Sequence, residues 1–76
     1  MEDIYFNIVT DLDLSFSLKW EGKFMPRKGD YISFEDFIDQ TDVHSDYRQI
    51  LKDNSFKIIK FWWVNFNEAH VFVIKS

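Results

Sequence analysis

The chain contains no cysteine, which excludes a disulfide framework and thiolate metal sites, two common reinforcements of a domain this small. Histidine is nearly as scarce. His44 and His70 are the whole supply, neither stands in a recognisable motif, and nucleophilic catalysis with an imidazole base has little to draw on. Long apolar runs are missing too. The most apolar stretch, Ile58 to Val64, is interrupted by Lys60 and falls far short of the roughly 18 uninterrupted residues of a membrane helix. The first residues, Met1-Glu2-Asp3-Ile4, are acidic and show neither the basic nor the apolar region of a secretion signal. These absences lead to the expectation of a cytoplasmic protein with no membrane association.

Aromatic residues are what the chain has in excess: nine Phe, three Trp and three Tyr in 76 residues. Each buried ring removes roughly 150 to 250 Å² from water, so a core without staples is feasible. A chain this short still buries only about 60% of its unfolded surface, which leaves material for one domain, residues 1–76, and a thin stability margin.

The net charge of −4 argues against binding driven by nucleic-acid phosphates, which needs several cations. The charges are sorted into blocks. Residues 1–18 carry acids and no base, 19–28 carry Lys19, Lys23, Arg27 and Lys28 against Glu21, and Gly29 to Tyr47 carries six acids and no base. Blocks of this kind create an oriented field or pair with one another across a fold.

Ile4 to Val9 reads as a first strand, and Thr10-Asp11-Leu12-Asp13 as a turn. From Leu12 the alternation is strict: Leu12, Leu14, Phe16, Leu18 and Trp20 face one way, with Asp13, Ser15, Ser17 and Lys19 facing the other. Pro26 cannot join a ladder, Gly29 is free to take positive φ, and Asp30 can brace the turn before a third strand at Tyr31 to Ser33. The stretch Pro26-x-x-Gly29-Asp30-x-Ile32 resembles the strand-entry loop of small bacterial and phage SH3-like barrel proteins. The resemblance covers this loop alone. It implies a barrel-like strand entry and carries no activity across.

Ser33-Phe34-Glu35-Asp36 approximates a capping box, with Phe34, Phe37 and Ile38 at helical spacing. A second helix is expected after a cap at Thr41 or Asp42, with Val43, Tyr47, Ile50 and Leu51 as its apolar stripe. The last segment, Phe56 to Ile74, reads as a hairpin with Phe66 and Asn67 at its tip and Asn65 opposite Glu68. Even alternation from there puts Phe61, Trp63, His70 and Phe72 on one face and Ile58, Trp62, Val64, Val71 and Val73 on the other. Both faces are then apolar, and each needs a cover: the second helix for one, a curled sheet or a second molecule for the other. His70 is expected to pack its ring on Trp63.

Asp39-x-x-Asp42-x-His44-x-Asp46 is the one cluster with metal-ligand chemistry, yet it has neither the glycine and terminal Glu of a calcium loop nor a nearby second histidine. Its acids read as helix-capping and solvated, so no metal, cofactor or catalytic residue is assigned. The expected architecture is α+β: an antiparallel five-stranded sheet, curled toward a small SH3-like barrel, with a helical insertion between strands 3 and 4. The expected function is a non-enzymatic protein-binding module, a homo-oligomer or a small inhibitor or adaptor. Its contact residues would be Glu35, Asp36, Asp39, Asp42, Asp46, Trp62, Trp63 and Phe66, with the acids standing in for phosphates against a basic partner in one variant. The alternative is a single-stranded nucleic-acid binder gripping through Lys23, Arg27, Lys28 and the neighbouring Phe24 and Tyr31.

Overall fold

The computed structural model describes residues 3–22, 24–35, 37 and 45–76. The elements run β1 (Ile4–Thr10), β2 (Ser15–Trp20), β3 (Tyr31–Ile32), α1 (Ser45–Asp53), β4 (Phe56–Asn65) and β5 (Glu68–Lys75). The strands form one curled sheet in the order β2-β1-β5-β4-β3. Two hairpins, β1–β2 and β4–β5, lie side by side with their chain-terminal strands in the middle. There β1 and β5 run parallel, Tyr5 opposite Glu68 through Thr10 opposite Val73. The sheet is therefore mixed, which corrects the all-antiparallel expectation. Each hairpin is antiparallel within itself, but the two meet along β1 and β5, which run in the same direction, so the pairing that joins them is parallel. Both central strands alternate between buried and half-buried or exposed positions, so one face of each lies in the core.

Local chemistry sets each turn. Thr10, 3% exposed, receives the Leu12 N–H on its hydroxyl at 3.1 Å and donates that hydroxyl to the Leu14 carbonyl at 3.1 Å, while Asp13 takes φ 58°, a conformation Asp tolerates. The register follows with Val9 opposite Ser15 and Ile4 opposite Trp20. At the strand-entry loop, Gly29 adopts φ 95°, and Asp30 accepts the Arg27 N–H on its carboxylate at 2.9 Å. Gly29 N–H then donates to Ile58 O at 2.7 Å and Ile58 N–H to Asp30 O at 2.8 Å, which seats β3 on β4.

The concave face holds the core: Phe6, Ile8, Leu18, Ile32, Phe56, Ile58, Ala69, Val71 and Val73 from the strands, closed by Phe34, Phe37 and Leu51. Phe34 lies edge-on to Phe16 of β2, with centroids 5.3 Å apart, and at the same distance from Phe56 of β4, so it bridges the two arms of the curl. Phe37 stacks on Trp20 at 5.0 Å and 24°. The Phe37 N–H donates to Phe34 O at 3.0 Å, a 3₁₀-type turn that carries both rings inward. Among the described residues the main cover of this face is thus the pair Phe34 and Phe37. Helix α1 contributes Leu51 alone to the core, with Tyr47 and Ile50 exposed by 41% and 38%; the start of the expected stripe, Val43, and the proposed caps Thr41 and Asp42 lie outside the described residues. The helix is held locally by Gln49 Nε2 donating to Asp53 at 2.8 Å and by Asn54 Nδ2 donating to Ile50 O at 2.8 Å. Among the described residues no helix is long and apolar enough to cross a membrane.

Candidate functional site

The β4–β5 hairpin departs from even alternation at two places. Ile58 pairs with Val73 but Lys60 with Phe72, and Trp63 pairs with Ala69 but Asn65 with Glu68, so Ile59 and Val64 are each one residue extra. Such bulges switch the side a strand presents. The proximal bulge turns Phe61 and Trp63 to the concave face with Val71 and Ala69, and leaves Trp62 on the convex face with His70. This overturns the expected grouping of Phe61 and Trp63 with His70 and Phe72. It also overturns the expected contact of His70 with Trp63: the imidazole stacks on Trp62, centroids 5.3 Å apart and planes within 9°. The distal bulge has a local cause. Neither tip residue, Phe66 nor Asn67, has positive φ, so the two-residue loop lacks the twist that a tight hairpin prefers, and the extra Val64 takes up the difference. Asn65 braces this tip by accepting the Asn67 N–H at 3.1 Å.

Beyond Ile58, β4 loses its outer neighbour. β3 covers only Phe56 and Lys57, the Gly29–Asp30 loop covers Ile58, and no described residue pairs with the outer edge from 59 to 65. Along that stretch Trp62 is 47% exposed, Trp63 45% and Val64 50%, with Phe66 at 77% on the tip. Trp63 is the outer end of an aromatic row that continues through Phe61 and Phe6 to Trp20, with centroids 5.6, 5.5 and 5.3 Å apart. One side of its ring is anchored in the core and the other meets solvent.

Of the eight residues expected to form a contact surface, Trp62, Trp63 and Phe66 lie at this hairpin end, with Trp63 on the concave face and Trp62 on the convex one. Val64 joins them, unforeseen because even alternation treated it as an ordinary strand residue. Glu35 is exposed in the loop ahead of Phe37, and Asp46 lies in the first turn of α1, where the helix dipole favours an acid. Asp36, Asp39 and Asp42 lie outside the described residues, as does His44. Among the described residues no group of His, Asp and Glu is arranged to hold a metal ion.

The convex face is organised by a polar chain across four strands, β2, β1, β5 and β4. Ser17 Oγ donates to Asn7 Oδ1 at 2.8 Å, Asn7 Nδ2 to Glu68 at 2.7 Å, and Asn65 Nδ2 to the other Glu68 oxygen at 3.2 Å. Around it lie Tyr5, Val9, Phe72 and Ile74, half-buried or exposed. At the β3 end, Tyr31 is 66% exposed and stands opposite Lys57. A cleft of about 400 Å³ opens between Trp20, Phe24, Met25, Pro26 and Tyr31, with Arg27 and Lys28 exposed in the same loop. Lys23 lies outside the described residues. Lys57 is an addition that sequence separation concealed, since only the β3–β4 pairing brings it to Tyr31.

No protein-family model matches the chain, and no curated protein or solved structure shows significant similarity to it.

Proposed function

We propose that this chain is a non-enzymatic protein-binding module whose contact surface is the distal half of the β4–β5 hairpin. The observation that carries the reading is the coincidence, in one short segment, of a strand edge with which no described residue pairs and Trp62, Trp63, Val64 and Phe66 at 45 to 77% exposure. Tryptophan is among the commonest anchors of protein interfaces, and an open edge supplies main-chain hydrogen bonds to an added strand. The apolar part of the expected surface supports the proposal; of the acidic part, Glu35 adds only an exposed charge. The test is site-specific photocrosslinking in the cells that make the protein, with p-benzoylphenylalanine in place of Phe66. A covalent adduct with a polypeptide is expected on irradiation. Irradiation that leaves the chain at its own mass would overturn the reading.

A second reading rests on the pairing of Lys57 with Tyr31. Together with Arg27, Lys28 and the 84% exposed Phe24, it forms a basic and aromatic rim of the kind that holds single-stranded nucleic acid by stacking and charge. Retardation of a single-stranded oligonucleotide, weakening steeply with salt and lost in the Arg27→Ala/Lys28→Ala/Lys57→Ala variant, is the result this reading requires.

A further inference from the structure

The sheet has two outer edges, and they are treated differently. The β2 edge carries Lys19 between Ser17 and Trp20, with the lysine ammonium 3.6 Å from Asp3 and 3.8 Å from Glu21. A lysine on the edge is one of the devices that stop edge-to-edge pairing. On β4 the last charge is Lys60, and Phe61-Trp62-Trp63-Val64-Asn65-Phe66-Asn67 follows with none. That run combines high β-propensity, no proline and no charge, the signature of a segment that pairs with another strand. An edge left in this state is a liability unless something occupies it.

The chemistry of the edge favours one occupant. Its one charge, Lys60, stands at the inner end, and the run Phe61 to Asn67 has none by which to select a foreign strand, whereas a second copy brings a row of aromatic side chains at matching spacing. In an antiparallel two-fold pairing centred near Trp63, Trp62 lies opposite Val64 of the other copy and each Lys60 is carried to an end of the seam, beside the other copy's Phe66. No like charges then face each other, and the aromatic and β-branched pairs are the favourable cross-strand kind. A closed two-fold pairing also consumes the edge, so that assembly stops at two.

We infer that two copies of this chain pair antiparallel along residues 59–65 of β4, with Trp62, Trp63 and Val64 at the seam. The inference rests on the protein-binding reading and names its partner. The experiment combines sedimentation equilibrium with hydrogen–deuterium exchange over a hundredfold range of protein concentration, on the native chain and on Val64→Lys. The native chain is expected to reach twice the monomer mass, and exchange in residues 59–65 is expected to slow as the dimer fills. Val64→Lys, which puts a charge on the edge, should associate at least tenfold more weakly while keeping the native circular dichroism. A monomer throughout the range overturns the inference. So does a dimer in which exchange of 59–65 is unaffected by concentration, which would place the contact on another surface. Photocrosslinking separates the two levels: an adduct at twice the chain's mass supports self-pairing, and an adduct of any other mass overturns self-pairing while leaving the protein-binding reading in place.

Discussion

Phe34 and Phe24 sit ten residues apart and have opposite environments. Phe34 is fully buried between Phe16 and Phe56, and Phe24 is 84% exposed. Truncating a buried Phe removes its transfer free energy and leaves a cavity, a loss of about 3 to 5 kcal/mol, which approaches the whole stability of a small domain. Phe34→Ala is therefore expected to lose its near-ultraviolet circular dichroism at room temperature, and Phe24→Ala to keep it with a change within about 0.5 kcal/mol. Gly22 makes a subtler case. A Cβ built there would stand 2.3 Å from the Trp20 ring, and that ring cannot retreat easily because it packs on both Phe6 and Phe37. Gly22→Ala is expected to cost about 1 to 3 kcal/mol by overpacking, read as a lower urea midpoint at unchanged slope.

The strand-entry loop tests one element in isolation. Gly29 holds φ 95° with nothing within 4 Å of a would-be Cβ, so Gly29→Ala meets no clash and its cost is backbone strain alone. An L residue in left-handed territory costs about 1 to 2 kcal/mol, and urea unfolding should show a destabilisation of that size. This loop was legible because the identities of Gly29 and Asp30 state the conformation locally. So were the four long strands, since alternation and turn residues are local signals, and β2 in particular alternates without a break from Ser15 to Trp20. The face assignment of distal β4 was not legible. Nothing in Ile58-Ile59-Lys60 marks which residue is extra, and a one-residue slip sends every later side chain to the opposite face. Hence Trp62 and Trp63 were recognised as pointing opposite ways, yet their partners were exchanged. Phe34 and Phe37 were recognised as a local apolar spacing, but their role as the cover between Phe16, Trp20 and Phe56 depends on the curl of the sheet, which no short window encodes. The parallel seam is harder still, because it joins residue 5 to residue 68 and neither strand carries a sign of the other.

That seam also governs the behaviour of the whole molecule. The central pair β1–β5 cannot form until the two ends of the chain meet, so the loop-closure entropy falls due before the core rewards it, and refolding is expected to take milliseconds to seconds rather than microseconds. The charge-free run of β4 pairs with β5 inside its own hairpin, and no described residue pairs with its outer side either before or after the two hairpins join. If the folded form pairs with itself along this edge and the unfolded form does not, association adds to stability by mass action. For a chain of this length the midpoint of thermal unfolding should then rise by about 3 to 5 °C for each tenfold increase in protein concentration. Val64→Lys removes the pairing and leaves the concave core untouched, so its midpoint should stay flat over the same range. Calorimetry at three concentrations reads both slopes. A native midpoint as flat as that of Val64→Lys would mean that the edge stands open in solution, with Trp62, Trp63 and Phe66 left for a partner other than this chain.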